Sequence, residues 1–214
     1  MAMTAQEFSA SLRTAEKHLS RRDPVLRQFI KQHGACRVHQ HSRYFETLVN
    51  SIVSQQLSVK AAATIFQRFV ALYTPAKFPK PDQIAATPDE TLRSVGLSGQ
   101  KPSYIKDLAT KVDDGSVHLK RITKMSDDDI IAELTQVKGI GVWTVHMFLI
   151  FSLGRLNVLP VGDLGIRMAM QRAYGLAELP KPAEIEAIAV QNKWQPFCSV
   201  ASWYLWRSLE NKTM

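Results

Sequence analysis

The chain has few of the residues that cross-link small proteins or anchor proteins in membranes. Cysteine occurs only twice in 214 residues, as Cys36 and Cys198, with no Cys-x-x-Cys spacing. This excludes a disulfide framework, a zinc ribbon and a four-cysteine iron–sulfur cluster. The longest apolar run, residues 142–153, is interrupted by His146 and is shorter than the roughly 18 residues of a membrane-spanning helix. We therefore expect no membrane association.

A secretion signal is also missing, because the first residues lack an apolar stretch. The sequence therefore predicts an intracellular protein, cytoplasmic or associated with the nucleoid or nucleus, and not a secreted one. Glycine and proline number ten each, which is low for a loop-rich β-sandwich, while 45% of the residues are hydrophobic and can form a core.

Positive charge exceeds negative charge, with 27 Lys and Arg against 19 Asp and Glu, so the formal net charge is +8. An excess of this size is compatible with a polyanionic partner such as a nucleic acid. Many basic proteins bind no polyanion, so charge alone does not decide the question.

Hydrophobic residues recur with helical spacing along almost the whole chain, which predicts an all-α protein of eight to ten short helices. Capping boxes mark two helix starts, with Thr87 and Ser126 as the expected N-caps. The apolar spacing predicts four buried stripes: Phe45, Leu48, Val49, Ile52 and Val53; Val59, Ala62, Ala63, Phe66 and Val70; Ile130, Ile131, Leu134 and Val137; Val145, Phe148, Leu149 and Leu153.

Residues 137–144 read Val-Lys-Gly-Ile-Gly-Val-Trp-Thr, which predicts two helices joined by a tight glycine turn. The first-turn N–H groups and positive dipole end of the second helix suit a phosphate, and Lys138 adds a positive charge. A plain corner between two packed helices remains the alternative for this spacing.

Asp163 lies in the string Leu-Pro-Val-Gly-Asp-Leu-Gly, at the predicted start of a helix. Aspartate is a favoured N-cap, and a cap carboxylate is held rigidly, so capping and catalysis are compatible roles.

The hairpin string and the Asp163 string, in this order, resemble the helix-hairpin-helix superfamily of DNA glycosylases. The string Leu-Pro-Val-Gly-Asp-Leu-Gly-Ile-Arg is similar to the alkylpurine branch, DNA-3-methyladenine glycosylase II, in a short form without the N-terminal β domain. The resemblance extends over residues 44–206. It implies two helical lobes with an active-site cleft between them: residues 44–153, with the hairpin at about 126–153, and residues 1–43 together with 154–214.

The resemblance implies that Asp163 is the catalytic carboxylate and that Trp143, Trp206 and His146 line the base pocket. Relatives with lyase activity carry a lysine where this chain has Trp143, so the resemblance implies a monofunctional enzyme. Packing alternatives remain for all three pocket residues: hairpin packing for Trp143, a second packing surface for Trp206 and a core position for His146.

The turn Ser54-Gln55-Gln56-Leu57-Ser58 is expected between two helices, because Gln56 would otherwise continue a buried apolar stripe. It is similar to the family turn that carries a DNA-intercalating residue, here Gln56. The alternative is that Gln55 or Gln56 only bridges two helices. The resemblance implies wedge and minor-groove contacts for Gln55, Gln56, Leu57 and Ser98, and phosphate contacts for Lys138, Gly139, Gly141, Thr144 and Lys101.

The family resemblance implies removal of 3-methyladenine and 7-methylguanine from double-stranded DNA by base flipping, which leaves an abasic site. Damaged double-stranded DNA is the expected partner, no cofactor is required, and we expect a monomer. A structural Na⁺ or K⁺ is expected at the carbonyls of Thr135, Val137 and Ile140. The alternative is a non-catalytic protein that binds lesions or abasic sites on the same scaffold, or a general hairpin DNA-binding module.

Overall fold

The computed structural model describes residues 3–210, so the first two and last four residues of the second expected lobe lie outside the described range. Between residues 3 and 210 the chain forms twelve α-helices and one 3-10 helix, and no strand. The prediction of an all-α protein is confirmed. The expected number of eight to ten helices is too low. Two of the observed helices have only six residues, which is too short for a repeat of apolar residues to be recognised. None of the described helices has the length and apolar character needed to cross a membrane.

The chain divides into two compact units, one from Met1–Gln40 with Leu149–Met214 and the other from His41–Phe148. The first contains five whole helices: α1 (Ala5–Arg22), α2 (Pro24–His33), α10 (Leu164–Tyr174), α11 (Pro182–Gln191) and α12 (Cys198–Leu209). The second contains α3 (Tyr44–Ser54), α4 (Val59–Ala71), α5 (Pro81–Ala86), α6 (Asp89–Ser94), α7 (Lys101–Asp113), the 3-10 helix Ile122–Lys124, α8 (Asp127–Leu134) and most of α9 (Val142–Phe151).

In the first unit, α12 is the central helix and packs against α1, α2 and α10. The large side chains of α12 form the contacts in this core, since Tyr204 and Leu205 are completely buried. Asp23 caps the start of α2 and is itself completely buried.

In the second unit, α7 packs against α3, α5 and α6, and α3 packs against α4. The predicted stripe on α3 is confirmed for four of its five residues, since Leu48, Val49, Ile52 and Val53 are completely buried, while Phe45 is half-buried. The predicted stripe on α4 is partly wrong. Val59 is 89% exposed and Ala63 is exposed as well. Ala62 is buried as predicted, and Phe69, outside the predicted stripe, is completely buried.

Of the two predicted N-caps, Ser126 is confirmed, because its hydroxyl accepts the N–H of Asp129 at the start of α8. The Asp129 carboxylate accepts the Ser126 hydroxyl rather than completing a capping box. The Thr87 N-cap is wrong. Pro88 is the N-cap of α6, and the Thr87 hydroxyl donates back to the carbonyl of Gln83 in α5. Two short helices follow one another here, and the hydroxyl serves the end of the first.

Candidate functional site

The hairpin turn, residues 135–141, joins α8 to α9 as predicted. The Ile140 N–H donates to the Val137 carbonyl at 3.0 Å, which closes a four-residue turn. Gly139, at the third position of that turn, has a φ of +82°. A positive φ at this position is typical of a type II turn and favours glycine.

The two hairpin glycines differ in what surrounds them. A Cβ on Gly139 would lie 2.2 Å from Cδ2 of Tyr104 on α7, so this glycine is required by packing as well as by φ. A Cβ on Gly141 would meet no atom within 4 Å. Gly141 is exposed and immediately precedes α9, so its bare backbone leaves room for an approaching phosphate.

Lys138 has an exposed side chain, but its backbone N–H is already used. It donates to Oδ2 of Asp107 on α7 at 2.9 Å. Burial acts to raise the pKa of Asp107, but the hydrogen bonds from Lys111 and from the Lys138 N–H outweigh it, and the pKa is lowered. Asp107 therefore stays charged and holds the first half of the hairpin turn against α7.

Thr144, an expected phosphate contact, is only 8% exposed at the third position of α9. Its phosphate contact remains a prediction. Trp143, one residue earlier, is 54% exposed on the outer face of the same turn.

The turn between α3 and α4, residues 55–57, has the predicted form. The helix ends at Ser54, and the Ser58 hydroxyl caps α4 by accepting the Ala61 N–H at 3.3 Å. Gln56 is exposed, with a φ of +57° that is uncommon outside glycine, and Leu57 is 37% exposed. The side chain at the tip of the turn is therefore presented to solvent.

Gln55 connects this turn to the hairpin turn. Its Nε2 donates to the carbonyl of Gly139 in the hairpin at 2.7 Å. Gln55 therefore bridges two turns, and its expected minor-groove contact remains a prediction. The wedge assignment of Gln56 remains a prediction.

Lys101, an expected phosphate contact, forms two hydrogen bonds within its own unit. Its Nζ donates to the carbonyls of Val53 and Gln55, at 2.8 and 2.7 Å. These carbonyls lie at the C-terminal end of α3, which is the negative end of a helix. Burial lowers the pKa of Lys101. Lys101 therefore caps the C-terminal end of α3, and its phosphate contact remains a prediction. Ser98, expected at the minor groove, is exposed on the turn after α6.

Asp163 is the N-cap of α10, as predicted. Its Oδ1 accepts the Ile166 N–H at 2.8 Å and the indole N–H of Trp206 at 2.8 Å. The residue is half-buried rather than enclosed. A Cβ on Gly165 would lie 3.0 Å from Oδ1 and 3.1 Å from Cδ1 of Trp206, so glycine keeps this corner open.

Trp206 therefore has a defined orientation. Its N–H is bonded to Asp163, and its ring lies against Phe151 with the centroids 5.7 Å apart. It is half-buried, whereas Tyr204 and Leu205 on the same helix are completely buried.

His146 is half-buried on α9, and burial lowers its pKa while Asp127 acts weakly in the opposite direction. Its imidazole is therefore neutral at pH 7. The pocket assignment and the core assignment both remain compatible with this position.

Sequence reasoning missed the contribution of α7. Tyr104, Asp107 and Lys101 lie at one-turn spacing on that helix, and each contacts either the hairpin turn or the 55–57 turn. The spacing of about one turn was visible in the sequence, but their partners lie more than thirty residues away.

The hairpin with its exposed helix start and the N-cap carboxylate of α10 are the two features on which the family resemblance rests. The chain belongs to the HhH-GPD superfamily of base excision DNA repair proteins, whose family model matches residues 49–196.

Named relatives agree with this assignment. DNA-3-methyladenine glycosylase 1 of Schizosaccharomyces pombe is 35% identical, with 95% of this chain and 90% of the relative covered. The structure of the S. pombe 3-methyladenine DNA glycosylase Mag1 with abasic DNA matches with a TM-score of 0.82 and 33% identity. That match covers 93% of this chain and 98% of the other. A DNA-3-methyladenine glycosidase from Bacillus halodurans matches with a TM-score of 0.80, 36% identity, and 91% and 88% covered.

Proposed function

We propose that this protein is a monofunctional DNA glycosylase that removes alkylated purines, such as 3-methyladenine and 7-methylguanine, from double-stranded DNA. The observation that carries the proposal is the Asp163 carboxylate, half-buried and oriented by two N–H donors on one oxygen. The named relatives support the choice of alkylated purines as substrates.

One carboxylate is sufficient for this chemistry. Alkylation at N3 or N7 makes the purine cationic, so the base leaves without strong acid catalysis. The sugar develops oxocarbenium character, as in glycoside hydrolysis. The negative charge of Asp163 stabilises that cation, and the same carboxylate can orient the attacking water.

A lyase step requires a lysine positioned to attack the sugar. The position two residues after Gly141 holds Trp143, and the nearby Lys138 precedes the turn. Trp143 is instead an exposed aromatic ring that can stack on a flipped cationic base, a contact of about 1–2 kcal/mol. The product is therefore an intact strand with an abasic site.

The hairpin carbonyls of Thr135, Val137 and Ile140 would hold a monovalent cation that strengthens phosphate binding. The Val137 carbonyl already accepts the Ile140 N–H at 3.0 Å, and its second lone pair remains for a cation. Neutral carbonyl oxygens suit Na⁺ or K⁺. DNA affinity is then expected to fall when both are replaced at constant ionic strength by a tetraalkylammonium ion.

The decisive experiment measures release of methylated base from DNA that carries 7-methylguanine or 3-methyladenine. We expect release by the wild type, and loss of release with retained DNA binding for Asp163→Asn. Absence of release from either substrate, combined with tight binding to abasic DNA, would support the non-catalytic alternative and overturn the proposal.

A further inference from the structure

The hairpin turn and the 55–57 turn lie 84 residues apart at their point of contact, yet they are joined directly. The Gln55 side chain donates to the Gly139 carbonyl at 2.7 Å. The Gln55 backbone is held as well, because its own carbonyl accepts Nζ of Lys101 at 2.7 Å. Gln55 is thus fixed at both its backbone and its side chain.

Helix α7 supports both turns along one side. Lys101, in its first turn, holds the 55–57 turn through two carbonyls. About one turn further on, the Tyr104 ring fills the space beneath Gly139. About one turn beyond that, Asp107 accepts the Lys138 N–H at 2.9 Å. One helix therefore contacts both turns, the 55–57 turn through Lys101 and the hairpin turn through Tyr104 and Asp107.

Capping of α3 alone does not account for this arrangement. A lysine at a helix C-terminus needs only the last carbonyls, but here the second carbonyl belongs to the residue that also bonds the hairpin. Gln56 follows immediately, in a left-handed conformation that must be maintained by its surroundings.

We propose that Lys101 and Gln55 are positioning residues that lock the 55–57 turn to the hairpin, so that phosphate anchoring and insertion into the base stack act as one rigid element. This proposal rests on the proposed function, because it assigns the two turns to DNA. Lys101 acts through Gln55 and Gln56 and makes no phosphate contact of its own. The energetic reason is preorganisation: Gln56 does not have to be ordered when DNA binds.

The test compares affinity for an undamaged duplex with affinity for the same duplex carrying a tetrahydrofuran abasic-site analogue. Lys101→Met is expected to reduce the preference for the abasic duplex about tenfold and to change affinity for the undamaged duplex less than about twofold. Gln55→Leu is expected to reduce the preference in the same way. Lys101→Arg, which keeps a cationic donor, should restore most of it.

The matched control is Lys106→Met, another lysine of α7, whose Nζ bonds Asp89 at 2.8 Å. This variant should leave the preference unchanged. A fluorescent base opposite the abasic analogue reports insertion of the turn, and its signal should fall for Lys101→Met but not for Lys106→Met. The double variant Lys101→Met/Gln55→Leu should be no worse than about the stronger single variant, since both changes release one turn.

Salt dependence separates positioning from a direct contact. A lost phosphate contact reduces the slope of log affinity against log salt concentration by about 0.9, whereas a positioning residue leaves the slope unchanged. A reduced slope, equal losses on both duplexes, or equal effects of Lys101→Met and Lys106→Met would each overturn the proposal. Absence of any abasic preference in the wild type would also overturn it. Absence of base release with that preference retained would contradict only the proposed catalysis.

Discussion

Asp23 and Asp163, both in the first unit, have the same local construction. Each is the N-cap of a helix, and each accepts the indole N–H of a tryptophan at 2.8 Å, Trp194 in one case and Trp206 in the other. Asp23 is completely buried, whereas Asp163 is half-buried. The same motif therefore serves a core junction at one helix and a candidate reaction centre at the other.

The arrangement of donors separates the two further. Oδ1 of Asp23 accepts the Val25 and Leu26 N–H groups, and Oδ2 accepts the Tyr174 hydroxyl and the Trp194 N–H. At Asp163 the Ile166 N–H and the Trp206 indole N–H both donate to Oδ1. Burial and the Asp23 carboxylate raise the pKa of Tyr174, so its hydroxyl remains a donor. The comparison predicts that equivalent substitutions will act on stability at Asp23 and on activity at Asp163.

The largest effect is expected for Asp163→Asn. An amide oxygen at the Oδ1 position keeps both described hydrogen bonds, so the melting temperature should change little. Loss of the negative charge should reduce base release by at least about 100-fold. Single-turnover release of 7-methylguanine measures the activity, and affinity for abasic DNA is the control. Retained release would show that Asp163 is only a cap.

Asp23→Asn should have the opposite outcome. In Asp23 each carboxylate oxygen accepts two hydrogen bonds. In the asparagine variant the amide NH₂ group replaces one of these oxygens, so in either orientation it faces two donors and cannot accept from them. The cost is about 3 kcal/mol of unfolding free energy, measured by denaturant titration. Base release per folded molecule should equal that of the wild type. A variant that is stable but inactive would contradict the comparison.

Replacing each tryptophan by phenylalanine sharpens the contrast. Trp206→Phe removes one donor from Asp163 and should lower kcat about tenfold, with KM nearly unchanged, because the carboxylate is less firmly oriented. Trp194→Phe removes a donor inside the core and should cost about 2 kcal/mol of stability with kcat unchanged. Equal loss of stability in both variants would indicate that Trp206 acts only by packing.

The smallest effect is expected at the glycines near Asp163. In Gly165→Ala the added methyl group comes within 3.0 Å of Oδ1 and 3.1 Å of the Trp206 ring, which should reduce kcat about threefold. Gly162→Ala is the matched control, since its Cβ would meet no atom within 4 Å. Steady-state release of methylated base distinguishes the two, and identical kcat values would argue against the steric requirement at Gly165.

Much of the fold could be predicted because its signals are local. The caps at Ser58, Ser126 and Asp163 and the turn at Gln56 are each recognised from residues within one helical turn. The α4 stripe failed at Val59, because an apolar residue in the first turn of a helix is buried only if another element covers it, and Val59 is 89% exposed.

The candidate site was predicted less completely. The resemblance pointed to Asp163, the hairpin glycines and the 55–57 turn. It did not reveal that the Lys101 ammonium group bonds the carbonyls of Val53 and Gln55, more than forty positions earlier in the chain. No local rule could have found that contact or the Gln55–Gly139 bond, because they depend on how α3, α7 and the hairpin pack.

The sequence by itself determined the helical class and several helix starts, since caps and apolar spacing act over three or four residues. Its hairpin and Asp163 strings carried the resemblance to the family. Only the tertiary structure distinguished Asp23 from Asp163 and Gly139 from Gly141. These residues have the same type and similar neighbours in the chain. They differ in burial and in contacts with distant elements, and those properties are set when the helices pack.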